Sequence, residues 1–204
     1  MATEEKRTRD EQRELLLAAM PKGGTVAEIG VWEGEFSHRI LAVCKPEKLH
    51  LIDPWQFMPE FRNTCFGRLK NEFTMDDKFA EVQATFAHDA RVDLHRATSE
   101  EALLRFADHS LDWVYVDGNH NEPYVTNDIA LCLQKVKPCG VIAGDDFNWK
   151  AFALGGPVRR AVEGALRRLG DQASFERFGS QWIIRLNRPD VKPAQKPARL
   201  RKAA

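Results

Sequence analysis

Between about residue 25 and residue 186, short apolar runs alternate with longer stretches whose apolar positions recur at helical spacing. The strand-like runs are TVAEIG, KLHLID, RVDLHRA, LDWVYVD, GVIAGDD and SQWIIRL, and the first five end in a polar or glycine-containing turn. Between them the pattern predicts helices over Glu35–Cys44, Asp77–Ala90, Ser99–Ala107, Glu122–Lys135 and Val158–Leu169. Thr8–Met20 fits a short amphipathic helix ahead of the first strand. Alternation of this kind predicts βαβ units, hence an α/β fold whose parallel sheet is covered by helices on both faces. The rhythm breaks from Pro54 to Met75, a stretch too long for an ordinary connection. Its aromatics Trp55, Phe57, Phe61 and Phe66 predict a folded lid or a helical insertion, spanning 54–77 with its flanks.

A chain of 204 residues with 43% hydrophobic and 29% charged positions is expected to be one globular domain, here residues 1–187. Thirty basic residues balance thirty acidic ones, which argues against a general nucleic-acid binder. The balance is uneven. From Arg188 the chain reads RPDVKPAQKPARLRKAA, with six basic residues, one acid and three prolines. Residues 188–204 are therefore expected to be a disordered basic tail, which solvates rather than binds. No apolar run approaches the roughly 20 residues that span a bilayer. The opening MATEEKRTRDEQRE has no apolar signal-peptide core. Cys44, Cys65, Cys132 and Cys139 form no Cys-x-x-Cys pair, so neither a zinc site nor a disulfide scaffold is expected. These features point to a soluble, cytoplasmic protein without a membrane partner; whether it forms a homo-oligomer stays open.

The candidate chemistry sits where predicted strands end. In Val26-Ala27-Glu28-Ile29-Gly30-Val31-Trp32-Glu33-Gly34, Gly30 permits a tight turn off the strand and Gly34 lets backbone come close to a ligand at the helix start. The spacing Glu-x-Gly-x-x-x-Gly differs from the Gly-x-Gly-x-x-Gly of pyrophosphate binders. Glu28 and Glu33 flank the loop and suit a positively charged ligand, such as the sulfonium and ammonium of S-adenosylmethionine. About 20 residues on, the second strand ends in Asp53, placed to accept hydrogen bonds from ribose hydroxyls. Loop and acid together favour an adenosine-containing ligand, with NAD as the alternative.

Two later strands deliver acids to the same edge. LDWVYVD ends in Asp117 with His120 three residues on, and GVIAGDD ends in Asp145 and Asp146. Three carboxylates in one crevice repel unless protonated or joined by a cation; oxygen ligands favour magnesium. His120, with an ordinary pKa of about 6.5, suits removal of a proton near neutral pH. The plainer reading makes the acids strand-end turn residues and His120 a solvated side chain. Thr98 and Ser99, after the third strand, fit a helix N-cap with Glu101 or Glu100, and their position also fits contact with an adenine ring. Trp149 is placed to wall a substrate pocket or simply to pack.

The stretches VAEIGVWEGEFSHRIL, LHLIDPW, LDWVYVDGNHNEPYVTND and VKPCGVIAGDDF resemble the class I S-adenosylmethionine-dependent methyltransferases, in particular the family labelled methyltransferase 24. The likeness runs from Val26 to Leu169. It implies a Rossmann-like, doubly wound, seven-stranded and mostly parallel sheet with an antiparallel last strand, SFERF and SQWIIRL closing it as a hairpin. It further implies that Glu28, Gly30 and Gly34 shape the methionine end of the cofactor site, Asp53 holds the ribose, and Thr98 and Ser99 lie near the adenine. Asp117 would belong both to that site and to a metal set with Asp145 and Asp146, and His120 would be the base. Asn119, Glu122 and the Pro138–Gly140 turn depart from the family's Asp-Gly-Asp-His-x-Tyr and Pro-Gly-Gly. The activity expected is methylation of a small-molecule hydroxyl, with a divalent metal as an optional helper. The alternatives are an NAD-dependent oxidoreductase, a metal-dependent hydrolase or hydroxylase using the Asp/His cluster, and a non-catalytic module acting through the tail.

Overall fold

The computed structural model describes residues 7–61, 64, 66–68, 74–149 and 156–188. Seven strands form one sheet: β1 (Thr25–Ile29), β2 (Lys48–Asp53), β3 (Val92–Arg96), β4 (Leu111–Val116), β5 (Val136–Gly144), β6 (Ala173–Phe178) and β7 (Gln181–Leu186). Their order is β3-β2-β1-β4-β5-β7-β6, with the first five parallel and β7 antiparallel to both of its neighbours. The expected doubly wound sheet and closing hairpin are both present. The chain leaves β1 toward β2 on one side and returns to β4 on the other. Between β1 and β4 the crossover helices therefore part, opening a crevice beyond the strand carboxyl ends.

Side chains alternate across the sheet as the two-residue period requires. On β4, Trp113 and Tyr115 face a core shared with α1 (Arg9–Ala19), α2 (Glu35–Val43) and α3 (Met75–Phe86). Val114 and Val116 face the opposite core, beneath α4 (Ser99–Leu103), α5 (Tyr124–Lys135) and α6 (Pro157–Leu169). A register shift between Leu111 and Trp113 lets β5 begin at Val136, earlier than its apolar run suggests. The helices occupy the predicted segments with ends moved by a few residues, α4 being the shortest against expectation.

α1 is capped by a reciprocal Thr8–Glu11 box, and its apolar stripe of Leu16 and Leu17, continued by Met20, is fully buried. Gln12 accepts the Ser180 backbone N–H at 2.8 Å, and Arg185 donates to the Ala19 carbonyl at 2.7 Å. These contacts fix α1 against β7, on the sheet face that carries Trp113 and Tyr115. Within the expected insertion, Pro59–Phe61 forms a short 3-10 turn, while Trp55 is buried in the core; residues 62–63, 65 and 69–73 lie outside the described residues. Arg188, expected to open the free tail, is instead anchored by its guanidinium to the Leu133 and Val136 carbonyls at 2.8 and 3.0 Å. The remainder of the tail, 189–204, lies outside the described residues. Among the described residues, no helix is long and apolar enough to cross a membrane.

Candidate active site

A cavity of about 570 Å3 opens at the carboxyl ends of β1, β2 and β4. At its floor the backbone leaves β1 through Gly30, with φ of +86°, and its N–H bonds the Ile52 carbonyl at 2.9 Å. A Cβ at Gly30 would lie 2.2 Å from the Asp117 carbonyl oxygen. Glycine is required there by the approach of β4's end as well as by the left-handed turn. Gly34 also has a positive φ, +79°, but it lies off the cavity wall. The room left by its missing side chain goes to the Phe86 ring, 2.9 Å from where a Cβ would be. The expected close approach of a ligand at Gly34 is thus replaced by helix packing.

The two loop glutamates have separated. Glu33 is paired with Lys78, whose ammonium also lies 4.3 Å from the centre of the Trp32 ring. Glu28 points toward α2, where the Ser37 hydroxyl donates to it at 2.5 Å. It is buried and lines the cavity. Burial pushes its pKa up to about 8, against the lowering influence of Ser37. The loop therefore presents one buried carboxyl, neutral at pH 7 and ready to ionise when a positive group arrives.

Asp53 lines the same cavity, yet its carboxylate already serves the loop. Oδ2 accepts the Val31 and Trp32 N–H groups at 3.0 Å each, and Oδ1 accepts that of Trp55 at 2.8 Å. Of roughly four acceptor positions on a carboxylate, three are used and one remains for a ligand hydroxyl. Burial raises its pKa despite these bonds. Thr98 caps α4 in a reciprocal box with Glu101, and the Ser99 hydroxyl donates to Asp128 of α5. Thr98, Ser99 and Asp128 all line the cavity. Burial pushes the pKa of Asp128 up to about 6, a residue that no motif singles out.

The far strands bring Asp117, Asp145 and Asp146 together, with a different division of labour from the one expected. Asp145 is buried and absent from the cavity lining. Its Oδ1 accepts the Ser180 hydroxyl at 2.7 Å and the Asp146 N–H at 2.6 Å, and its Oδ2 accepts Arg9 Nε at 2.7 Å. Burial alone would raise Asp145, but Arg9 and these donors outweigh it and hold the carboxyl below its usual range. The open cluster is instead Asp117, His120 and Asp146, whose ligand atoms lie within 4.8 Å of one another. His120 Nε2 lies 2.8 Å from Asp146 Oδ2 and 3.4 Å from Asp117 Oδ1, its N–H aligned with neither. Burial would lower its pKa, yet the two carboxylates win and raise it to about 9. His120 is thus protonated at neutral pH rather than poised as a free base. The Trp149 ring lies 5.4 Å from the imidazole, centre to centre, and walls the cavity beside it.

Arg9 and Arg13 have no counterpart in the expected site. Arg13 Nη2 lies 3.0 Å from Asp117 Oδ2 and 3.3 Å from Asp145 Oδ2, with its guanidinium over the Phe36 ring. The only sequence signal is a pair of arginines one turn apart on an amphipathic helix; their partners are more than a hundred residues away. On distance the Asp117–His120–Asp146 trio could hold a small ion. On charge it suits a divalent one poorly, because the guanidiniums of Arg9 and Arg13 already pair with Asp117, Asp145 and Asp146. The S-adenosylmethionine expectation fits better, since a buried carboxyl bonded by the Ser37 hydroxyl faces the cavity at Glu28.

Strand order, antiparallel β7 and a crevice at the β1/β4 switch point define the fold of class I S-adenosylmethionine-dependent methyltransferases. The family model of a methyltransferase domain, methyltransferase 24, matches residues 27–147, more than half of the chain, and the protein belongs to that family. No curated protein matches the chain. Among solved structures, a protein from Corynebacterium glutamicum is 13% identical with a TM-score of 0.61, over 92% of this chain and 85% of that one. An O-methyltransferase family protein from Burkholderia thailandensis is 14% identical with a TM-score of 0.56, over 90% and 55%. An rRNA methylase from Streptococcus thermophilus is 10% identical with a TM-score of 0.56, over 93% and 100%. At these identities the likeness is one of fold.

Proposed function

We propose that the chain transfers a methyl group from S-adenosylmethionine to a hydroxyl of a small molecule. The observation that carries this reading is one cavity lined both by Glu28, Gly30 and Asp53 and by Asp117, His120 and Asp146. Its volume, about 570 Å3, suits small organic ligands rather than a polymer groove.

When bound, S-adenosylmethionine supplies a methyl group activated by its sulfonium. Glu28 would meet the positive end of the cofactor, ionising as it does so. Asp53 keeps the loop in shape and offers its remaining lone pair to a ribose hydroxyl. Thr98 and Ser99, the latter held by Asp128, border the adenine side. At the other end Trp149 and the residues Phe61 and Phe66 wall off the acceptor. Once His120 has shed its own proton, as it does toward pH 9, its ring receives the acceptor's hydroxyl proton as the oxygen takes the methyl. Asp117 and Asp146 hold the ring for this and stabilise the imidazolium that results. No step calls on a metal.

Calorimetric titration with S-adenosylhomocysteine tests the cofactor half of this reading, and absence of binding at millimolar ligand overturns it. Transfer of tritiated methyl to catechol and to simple polyols tests the acceptor half. Incorporation only into added RNA or protein would overturn the small-molecule assignment.

A further inference from the structure

The three carboxylates at the ends of β4 and β5 converge on one nitrogen. Arg9 Nη2 lies 2.7 Å from Asp145 Oδ2, 3.3 Å from Asp146 Oδ2 and 3.8 Å from Asp117 Oδ1. It stands where a cation shared by all three would stand. Arg13 adds a second positive group on the inner side, and its own side chain is only 17% exposed. Two guanidiniums thus sit against the three carboxylates of Asp117, Asp145 and Asp146.

These arginines are part of the fold and not a loose strap. They belong to a capped helix whose Leu16 and Leu17 are fully buried. The helix is tied through Gln12 to the backbone of Ser180, whose hydroxyl in turn bonds Asp145. Arg39 of α2 pairs with Asp10 and Glu14 on the same helix. Arg13, enclosed by the docked helix, cannot leave the crevice without undocking that turn, while Arg9 is held there by its bonds to Asp145 and Asp146.

We infer that α1 supplies the resident cation of this crevice: Arg9, backed by Arg13, takes the place of a divalent ion, and the protein binds none there. A magnesium ion entering there would place two more positive charges beside two guanidiniums already paired with the same carboxylates, or would have to expel Arg9. Arg9 also remains half-exposed and lines the cavity, so its fixed charge borders the space beside His120. The inference goes beyond the methyl-transfer reading and does not depend on it.

Electron paramagnetic resonance of Mn2+, a probe with magnesium's charge and preference for oxygen, tests it on the full chain. Wild-type protein is expected to leave the free-ion spectrum undiminished at equimolar metal. Arg9→Met removes one of the two guanidiniums from the three carboxylates and should raise Mn2+ affinity by about tenfold or more. Asp117→Asn added to Arg9→Met should remove that gain, and Arg9→Lys should behave as wild type. Attenuation of the spectrum by wild-type protein, relieved by Asp117→Asn, overturns the inference. So does a folded Arg9→Met protein that binds no more Mn2+ than wild type. Should Arg9→Met fail to fold by circular dichroism, Arg9→Gln takes its place, and the wild-type result decides on its own. Titrating S-adenosylhomocysteine into the same samples separates the two readings: wild type that binds neither ligand ends the cofactor proposal and leaves this one standing.

Discussion

Asp53→Asn separates two jobs that a carboxylate at the end of β2 can do. The Asp53 carboxylate accepts three backbone N–H groups, two on Oδ2 and one on Oδ1. Asparagine keeps one oxygen. Oriented to serve Val31 and Trp32, it turns its amide N–H2 against the N–H of Trp55, and that donor is left buried without an acceptor. An unsatisfied buried donor costs about 1–3 kcal/mol. The two surviving bonds drop from charge-assisted to neutral, losing roughly another 1 kcal/mol each. Relief from burying a charge offsets part of this, since burial already raises the Asp53 pKa. The net loss should be about 2–4 kcal/mol, or roughly 6–12 °C in Tm for a chain of this size. Differential scanning fluorimetry reads the melting point, and calorimetry reads S-adenosylhomocysteine affinity on the same preparation. Both are expected to fall together, because the Gly30–Trp32 loop that Asp53 holds is the cavity floor. A variant that melts within about 2 °C of wild type but no longer binds the ligand would refute the reasoning. Asp53 would then serve the ligand and not the loop.

Gly30→Ala forces a Cβ to 2.2 Å from the Asp117 carbonyl oxygen at a left-handed φ, and should cost about 2–5 kcal/mol by urea unfolding. Glu28 is protonated in the folded chain up to about pH 8 but ionises near 4.5 when unfolded. Its contribution to stability is therefore complete at acid pH and is lost as pH climbs through about 8. Glu28→Gln should flatten that decline, so its advantage over wild type must be larger at pH 9 than at pH 4, about as urea midpoints can resolve. The same group should release a proton when S-adenosylmethionine binds, seen as a dependence of the calorimetric heat on buffer ionisation enthalpy. His120→Ala should leave S-adenosylhomocysteine affinity within about threefold and lower turnover by about a hundredfold or more. In wild type, turnover should rise with pH toward about 9, where His120 loses its proton; a profile flat from neutral pH upward would remove His120 from the base role.

The alternation of apolar runs determined much of this protein before any coordinates. Strand after strand ends in an acid or a glycine, and a parallel sheet must place those ends along one edge, so spacing assigns Gly30, Asp53, Asp117, Asp145 and Asp146 to a common crevice, and all but Asp145 line it. A local rule also reached the Thr98 cap, which depends on residues close in the chain, whereas the β6–β7 hairpin came from the family resemblance. Only the tertiary structure decided what each acid does there. Asp145 and Asp53 carry the same carboxylate as Asp117, yet donors contributed by other elements occupy most of their lone pairs. Gly34 gave its space to Phe86, and Lys78 neutralised Glu33. Arg9 and Arg13 changed the electrostatics most and were the least legible. The sequence marks where a helix forms, but the energy of an ion pair depends on distance and burial, and those are fixed only when α1 docks on the sheet beside β7.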